Sequence, residues 1–333
     1  MRDLIAGYWV SRLIYVAARL RIADLLKKGP RSAEDLAAAT GVKAWALYRM
    51  LRTLAGYGVF REVAGKRFTL TPLGTTLRTD VPASMHGFAL MLVEKHVWYA
   101  WEQLLFAVET GELPFDKIFG MPFYKYLEQH ADDLQVFGEA MTSLSGTENP
   151  AIAAAYRKIH KSSRIGTLVD VAGGVGSLLA MILKANPTLH GVLFDVPVVI
   201  DRARKDRHVT AKSVAARCTL VGGDFFESVP AGGDAYLMKY ILHNWDDDSC
   251  VRILSNCRDV MNARGKILVA DPVISSDNRP AWGKLLDIQM MVLLSGKERT
   301  KTEFASLFKK AGLKLTRVLP TSCPLSLVEA VRA

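Results

Sequence analysis

The segment from Leu168 to Ser177, LVDVAGGVGS, constrains the fold of this chain more than any other: an apolar run meets a carboxylate, Asp170, and opens into Gly173, Gly174 and Gly176. Glycines at this spacing let a strand turn tightly into a helix and let a ligand lie against bare backbone, because they carry no Cβ and tolerate positive φ. A dinucleotide fingerprint would want another glycine three residues after Gly176, where this chain has Leu179. A carboxylate beside such a turn repels phosphates and attracts ammonium and sulfonium groups. The turn therefore favours a cationic nucleoside, S-adenosylmethionine, over NAD.

Two more acids follow at the ends of apolar runs. Asp195 closes HGVLFD, 21 residues after Gly174, where an acid at a strand tip accepts hydrogen bonds from ribose hydroxyls. Dehydrogenases share that feature, so Asp195 indicates a nucleoside without choosing the cofactor. Asp224 in VGGDFF precedes Phe225, an arrangement that sets a carboxylate near an adenine amino group and a ring against its face. Each acid alone is as well read as a strand-end cap or a solvated turn. Three at consecutive strand ends point to a ligand site at the carboxyl edge of a parallel sheet.

A chain of 333 residues, 50% of them apolar, buries a large core and is expected to form more than one domain. No apolar run reaches the roughly 18 residues of a membrane span, and the first helix-like stretch is interrupted by Arg12, Arg19, Arg21 and Asp24. A cytoplasmic protein without a membrane partner is the expectation. Cys218, Cys250, Cys257 and Cys323 form no CxxC pair, too few for a disulfide framework and, without histidines nearby, a poor zinc set, so no metal is expected. The net charge of +10 is spread along the chain. It would help attract an anionic substrate and does not establish a nucleic-acid partner.

The stretch from Arg31 to Gly74 reads as a winged helix-turn-helix. Ser32 is an N-cap with Asp35 three residues on, Gly41 falls at the turn, and a second amphipathic helix runs from about Lys43 to Ala55. Phe60 to Leu70 alternates around Ala64-Gly65-Lys66 like a hairpin wing. One reading places Lys43, Arg49 and Arg52 on DNA; the other makes the module a dimerisation platform, with Trp45, Leu47, Tyr48, Leu51 and Leu54 in the core or against a partner. Residues 81–161 carry helical patterns rich in large side chains and read as a helical connector. From Thr167 onward TLVDV, HGVLFD, CTLVGG, AYLMKY and GKILVAD alternate with helical segments, as a doubly wound sheet requires. LKLTRVLP and SLVEAVRA are joined too closely for a crossover and should form an antiparallel edge pair.

After the fourth of these strands comes AYLMKYILHNWDDDSC. His243 lies just beyond the strand end, on the side where the glycine turn opens, and is a candidate general base. The acids from Asp246 to Asp248 serve at least as a cap for the following helix.

DVAGGVG, FDVP, GGDFFESVP, LMKYILHNWDDD, GKILVADPVI and SGKERTKTEF, in this order behind a winged-helix module, resemble the small-molecule O-methyltransferases typified by caffeic acid and hydroxyindole O-methyltransferases and by bacterial tailoring enzymes of aromatic polyketides. The resemblance covers essentially the whole chain. It implies a mostly parallel, doubly wound Rossmann-like methyltransferase sheet with an antiparallel edge pair, preceded by an α-helical winged-helix dimerisation domain. It divides the chain into that domain over 1–95, a helical connector contributing to the substrate pocket over 96–160, and an S-adenosylmethionine-binding catalytic domain over 161–333. The activity it implies is methyl transfer to an aromatic hydroxyl of a small molecule in secondary metabolism by a homodimer, yielding S-adenosylhomocysteine. His243 becomes the base, flanked by Asp271 and Glu298; Lys239 and Trp245 join Asp170, the three glycines, Asp195, Asp224 and Phe225 at the cofactor. Met91, Phe137, Met141, Tyr240, Asn244 and Met290 fall at substrate-facing positions. Asn244 stands where the family usually has an acid, and Asp271 where a glutamate is frequent. The rival functions are a winged-helix regulator sensing S-adenosylmethionine and methyl transfer to nitrogen or carbon.

Overall fold

The computed structural model describes residues 1–82, 84–163 and 165–333, with the backbone alone for 162–163. The chain divides into two compact units, one of residues 1–104 and 115–147, the other of residues 105–114 and 148–333.

In the first unit, α1 (Gly7–Arg19) precedes the pair α2 (Ala33–Thr40) and α3 (Ala44–Gly56). Ser32 and Asp35 form the expected capping box at the start of α2, and Gly41 ends it at φ 72°. Each such cap stabilises a helix by about 1 kcal/mol. Strands β1 (Phe60–Val63) and β2 (Arg67–Leu70) pair antiparallel as the wing. Leu47, Leu51 and Leu54 of α3 are buried with Phe60 and Phe68 of the wing. Of the two places read for the α3 stripe, Trp45 does not take the core: it is 67% exposed, because the buried residues repeat at three and four while Trp45 lies two before Leu47. Leu4, Ile5, Tyr8 and Trp9 are also exposed, leaving large apolar side chains of the N-terminal segment at the surface. Beyond the wing come α4 (His86–Met91), α5 (Lys95–Glu102) and the first half of α6 (Ala131–Ser163), whose 33 residues run into the second unit past Pro150.

The second unit is an α/β layer structure. Its strands are β3 (Thr167–Val171), β4 (His190–Asp195), β5 (Cys218–Gly222), β6 (Ala235–Lys239), β7 (Lys266–Asp271), β8 (Leu313–Pro320) and β9 (Ser326–Arg332). Among the described residues they form one seven-stranded sheet in the order β8-β9-β7-β6-β3-β4-β5. β5, β4, β3, β6 and β7 are parallel, and β8 and β9 are antiparallel at one edge, as their short connection requires. Strand side chains alternate between two cores. Leu168, Leu193, Leu237 and Leu268 pack with α7 (Ser177–Ala185) on one face. Val169, Val171, Tyr236, Met238 and Val269 pack with α8 (Asp247–Val260) and α10 (Lys301–Lys310) on the other, while α9 (Trp282–Leu293) lies between β7 and α10 in the chain. The chain runs outward from β3 to β5 and then returns to β6 on the other side of β3. That reversal opens a crevice at the carboxyl ends of β3 and β6. Asp170 and Lys239 stand at those two ends.

Candidate active site

The glycine turn is shaped by what a Cβ would strike. At Gly173 it would lie 2.5 Å from both Asp170 Oδ2 and Leu193 Cδ1, so only glycine lets the backbone close over the carboxylate. Gly174 and Gly176 have φ of 62° and 79°, and Ala172 is also left-handed at 55°. Asp170 is 2% exposed, and its Oδ2 has no hydrogen-bond partner among the described residues. Burial, then the nearby Asp195 carboxylate, push Asp170 up to about 7. A buried carboxylate oxygen without a donor beneath a bare backbone turn fits a cationic ligand, and it would oppose a pyrophosphate.

Asp195 stands at the end of β4, where its Oδ2 accepts from the Gly174 N–H at 2.8 Å and its Oδ1 from the Val196 N–H at 2.8 Å. It thereby braces the turn itself. Asp224 is exposed and accepts from the Phe226 N–H at 2.8 Å, the strand-end cap that its sequence position also allowed. Phe225, Phe226 and Trp245 form an edge-to-face cluster, with Phe226 and Trp245 centroids 4.8 Å apart and Phe225 and Trp245 6.1 Å apart. Trp245 is thus joined to the Phe225 segment by aromatic packing across 20 residues of chain.

His243 sits in a turn of 3-10 helix, Leu242–Asn244, between β6 and α8. Its Nδ1 lies 2.7 Å from Glu298 Oε1, both residues being buried. Burial lowers the imidazole's affinity for a proton, and the charge of Asp271 is the largest influence opposing it. Asp271 is itself pushed up to about 7 by burial, and Glu298 up to about 9 by burial and then by Asp287. With Nδ1 committed to Glu298, Nε2 is the ring nitrogen left for another partner. The structure therefore brings His243, Glu298 and Asp271 together as one buried acid–base cluster.

Supports that the sequence reading did not name hold this cluster. Arg299, 1% exposed, donates from Nη1 to the Leu242 carbonyl at 3.0 Å and from Nη2 to the Trp245 carbonyl at 3.1 Å and Asp247 Oδ1 at 2.9 Å. Asp287 accepts from the Glu298 N–H at 2.8 Å. Asp246 caps α8 through the Ser249 N–H, as its place in the acidic run suggests. Gly296 packs against the turn: a Cβ there would collide with the His243 carbonyl oxygen and lie 2.5 Å from the Asn244 carbonyl carbon. Gly296→Ala is accordingly expected to destabilise the fold by about 1–3 kcal/mol and to displace His243, read as a lower denaturation midpoint together with a lower kcat.

The substrate-facing candidates divide between the units. Met91, Phe137 and Met141 are half-buried in the first, where Phe137 packs edge-on against Phe123 at 5.8 Å. Met290 is buried in α9 of the second. Tyr240 lies against His243, with ring centroids 4.9 Å apart, and the Asn244 side chain donates to the Tyr240 carbonyl at 2.9 Å. That bond needs an amide, because an aspartate would offer no donor there. Lys239 Nζ meets Glu148 Oε2 at 3.0 Å and Asn149 Oδ1 at 3.1 Å, both from α6. Among the described residues no group of three or more His, Cys, Asp or Glu is placed to hold a metal ion, and no helix is long and apolar enough to cross a membrane.

Comparison with known proteins agrees with this architecture. Residues 101–314 match the family described as O-methyltransferase domain, and residues 2–80 match the O-methyltransferase dimerisation domain. The chain is 44% identical over 328 residues to the phenazine O-methyltransferase PhzM of Lysobacter antibioticus, covering 98% of this chain and 94% of that protein. It is 33% identical over 324 residues to the 8-amino-8-demethylriboflavin N,N-dimethyltransferase of Streptomyces davaonensis, covering 96% and 91%. Among solved structures, CalO1, a methyltransferase of calicheamicin biosynthesis in its SAH-bound form, superposes with a TM-score of 0.89 at 38% identity over 100% of this chain and 97% of that one.

Proposed function

The chain belongs to the O-methyltransferase family, and from that premise we propose that it moves a methyl group from S-adenosylmethionine to a hydroxyl of a small aromatic molecule in secondary metabolism, with His243 as general base. The observation that carries this reading is the buried contact of 2.7 Å between His243 Nδ1 and Glu298 Oε1. Bound S-adenosylmethionine supplies an electrophilic methyl on a sulfonium. Asp170 offers its unpartnered Oδ2 to the cationic end of that ligand. Gly174 leaves backbone open to it, Gly173 and Gly176 let the turn close against Asp170, Leu193 and Val209, and Asp195, Asp224, Phe225, Lys239 and Trp245 border the ribose and adenine side. The carboxylate of Glu298 fixes the proton on Nδ1 and stabilises the imidazolium formed when Nε2 accepts the phenolic proton. A phenol, with a pKa of about 10, needs that step at neutral pH to become a competent nucleophile.

Nitrogen as acceptor is the second reading, because one relative is named as an N,N-dimethyltransferase. An aromatic amine attacks through its free lone pair, so it would leave the buried base with little to do. A homodimer through the N-terminal helices is supported by the dimerisation domain match and the exposed Leu4, Ile5, Tyr8 and Trp9. The test is transfer from methyl-labelled S-adenosylmethionine to 1-hydroxyphenazine, 2-hydroxynaphthoic acid and the corresponding amines. Label on oxygen of a hydroxyl acceptor, and not on the amines, is expected. Label on nitrogen, or none with any acceptor while the cofactor binds, contradicts it.

A further inference from the structure

Glu148 is a buried acid that the proposed reaction does not use. It is 2% exposed and lies in α6 two residues before Pro150, which has no N–H to offer the helix. Its Oε1 accepts the Tyr240 hydroxyl at 2.7 Å, while its Oε2 pairs with Lys239. Its neighbour Asn149, 3% exposed, accepts from Lys239 and donates from Nδ2 to Ser177 Oγ at 3.1 Å, at the first residue of α7. One step of helix therefore reaches both the base turn and the end of the glycine turn.

Tyr240 is held at each polar group it has. Its N–H donates to Asp271 Oδ1 at 2.9 Å, its carbonyl accepts from Asn244, and its hydroxyl is fixed by Glu148. Its φ of 56° is left-handed, a conformation disfavoured for a residue with a Cβ and kept only where the surroundings over-determine it. Its ring lies on the His243 imidazole with planes 33° apart. The ring thus packs against the imidazole that Glu298 holds at Nδ1, and the hydroxyl at its far end restricts the ring.

We propose that Glu148 is the positioning residue of the base: it fixes the Tyr240 ring through the hydroxyl, and that ring fixes the orientation of His243. Through Lys239 and Asn149 the same helical step ties the base turn to α7. The proposal rests on His243 acting as base in the reading above, and its test separates the two. Selective 15N-histidine NMR of the free protein, recorded at a pH where Glu298 is ionised, reports the His243 Nδ1 proton held by Glu298. Kinetics with S-adenosylmethionine and 1-hydroxyphenazine report the reaction.

Glu148→Ala and Tyr240→Phe are each expected to broaden that Nδ1 signal and to lower kcat about tenfold, and Tyr240→Phe, which leaves the Lys239 pair intact, to hold KM for S-adenosylmethionine within about threefold. The double variant should be no worse than the poorer single one, since both act on one bond. Glu148→Gln retains an oxygen for the Tyr240 hydroxyl and should restore the signal and most of kcat. An unchanged His243 signal in Tyr240→Phe, or losses that multiply in the double variant, overturns the proposal. If the wild type methylates no hydroxyl acceptor, the O-methylation reading fails and the NMR comparison still decides this one. If Glu148→Ala does not fold, Tyr240→Phe and Glu148→Gln carry the same comparison.

Discussion

Replacing His243 by alanine is expected to lower kcat about a thousandfold on a phenolic acceptor near neutral pH, within the range for removal of a positioned general base. Cofactor affinity should change little, because the His243 side chain is committed to Glu298. The pH dependence follows from the same pair. The competent form carries the proton on Nδ1, a carboxylate on Glu298 and an open Nε2. Burial and Asp287 push Glu298 up to about 9, so raising the pH increases the fraction of that form. The wild-type rate should climb between neutral pH and about 9. Glu298→Gln keeps an oxygen for the Nδ1 proton but has no charge to gain; its rate should be about 10–100-fold lower and nearly flat over that range. A Glu298→Gln profile parallel to the wild type would rule out this assignment of the ionising group.

Asp170→Asn is expected to strengthen the cofactor-free fold while weakening cofactor binding. Asp170 rises from 3.8 to about 7 in the folded chain, first through burial and then through Asp195. Below pH about 4 it is protonated both folded and unfolded, and burying it is cheap. Above about 7 it is ionised in both, and the folded state holds a desolvated charge. Stability from this group is therefore lost as pH rises through the interval, by on the order of 4 kcal/mol at 1.36 kcal/mol per pH unit. Denaturant unfolding at pH 5 and pH 8 should show the wild type losing stability relative to the variant at the higher pH. Calorimetry should show S-adenosylmethionine affinity reduced about 10–100-fold, the usual effect of losing a charge-assisted bond. Parallel stability profiles, or an unaltered affinity, would show that the buried carboxylate is not the cation's partner.

Local signals in the sequence reached far into this structure. The capping box at Ser32, the hairpin at Phe60–Leu70, the glycine turn and the strand ends at Asp195 and Asp271 are set by residues near one another in the chain. His243 and Glu298, 55 residues apart, were legible because each sits in a compact motif. Glu148 and Asn149 were not: they lie in a long helix whose periodicity reads as core, and their partners Lys239, Tyr240 and Ser177 are 28 to 92 residues away. Arg299 was passed over beside Glu298, though an arginine in that motif had no other obvious charge to meet. Its role depends on carbonyls of the 3-10 turn, which backbone folding alone places. The choice between core and partner face for Trp45 was not legible, because apolarity marks a residue as suited to burial without saying which surface it covers.

If His243 removes the acceptor's proton as the methyl is transferred, the cost of deleting it depends on how readily the acceptor gives up that proton. The measurement is kcat for the wild type and His243→Ala on two acceptors of one skeleton, a simple phenol and its nitro derivative already ionised at the assay pH. A loss of about a thousandfold is expected on the phenol and of less than about tenfold on the ionised acceptor, which needs no base. Equal losses on the two would contradict proton removal by His243.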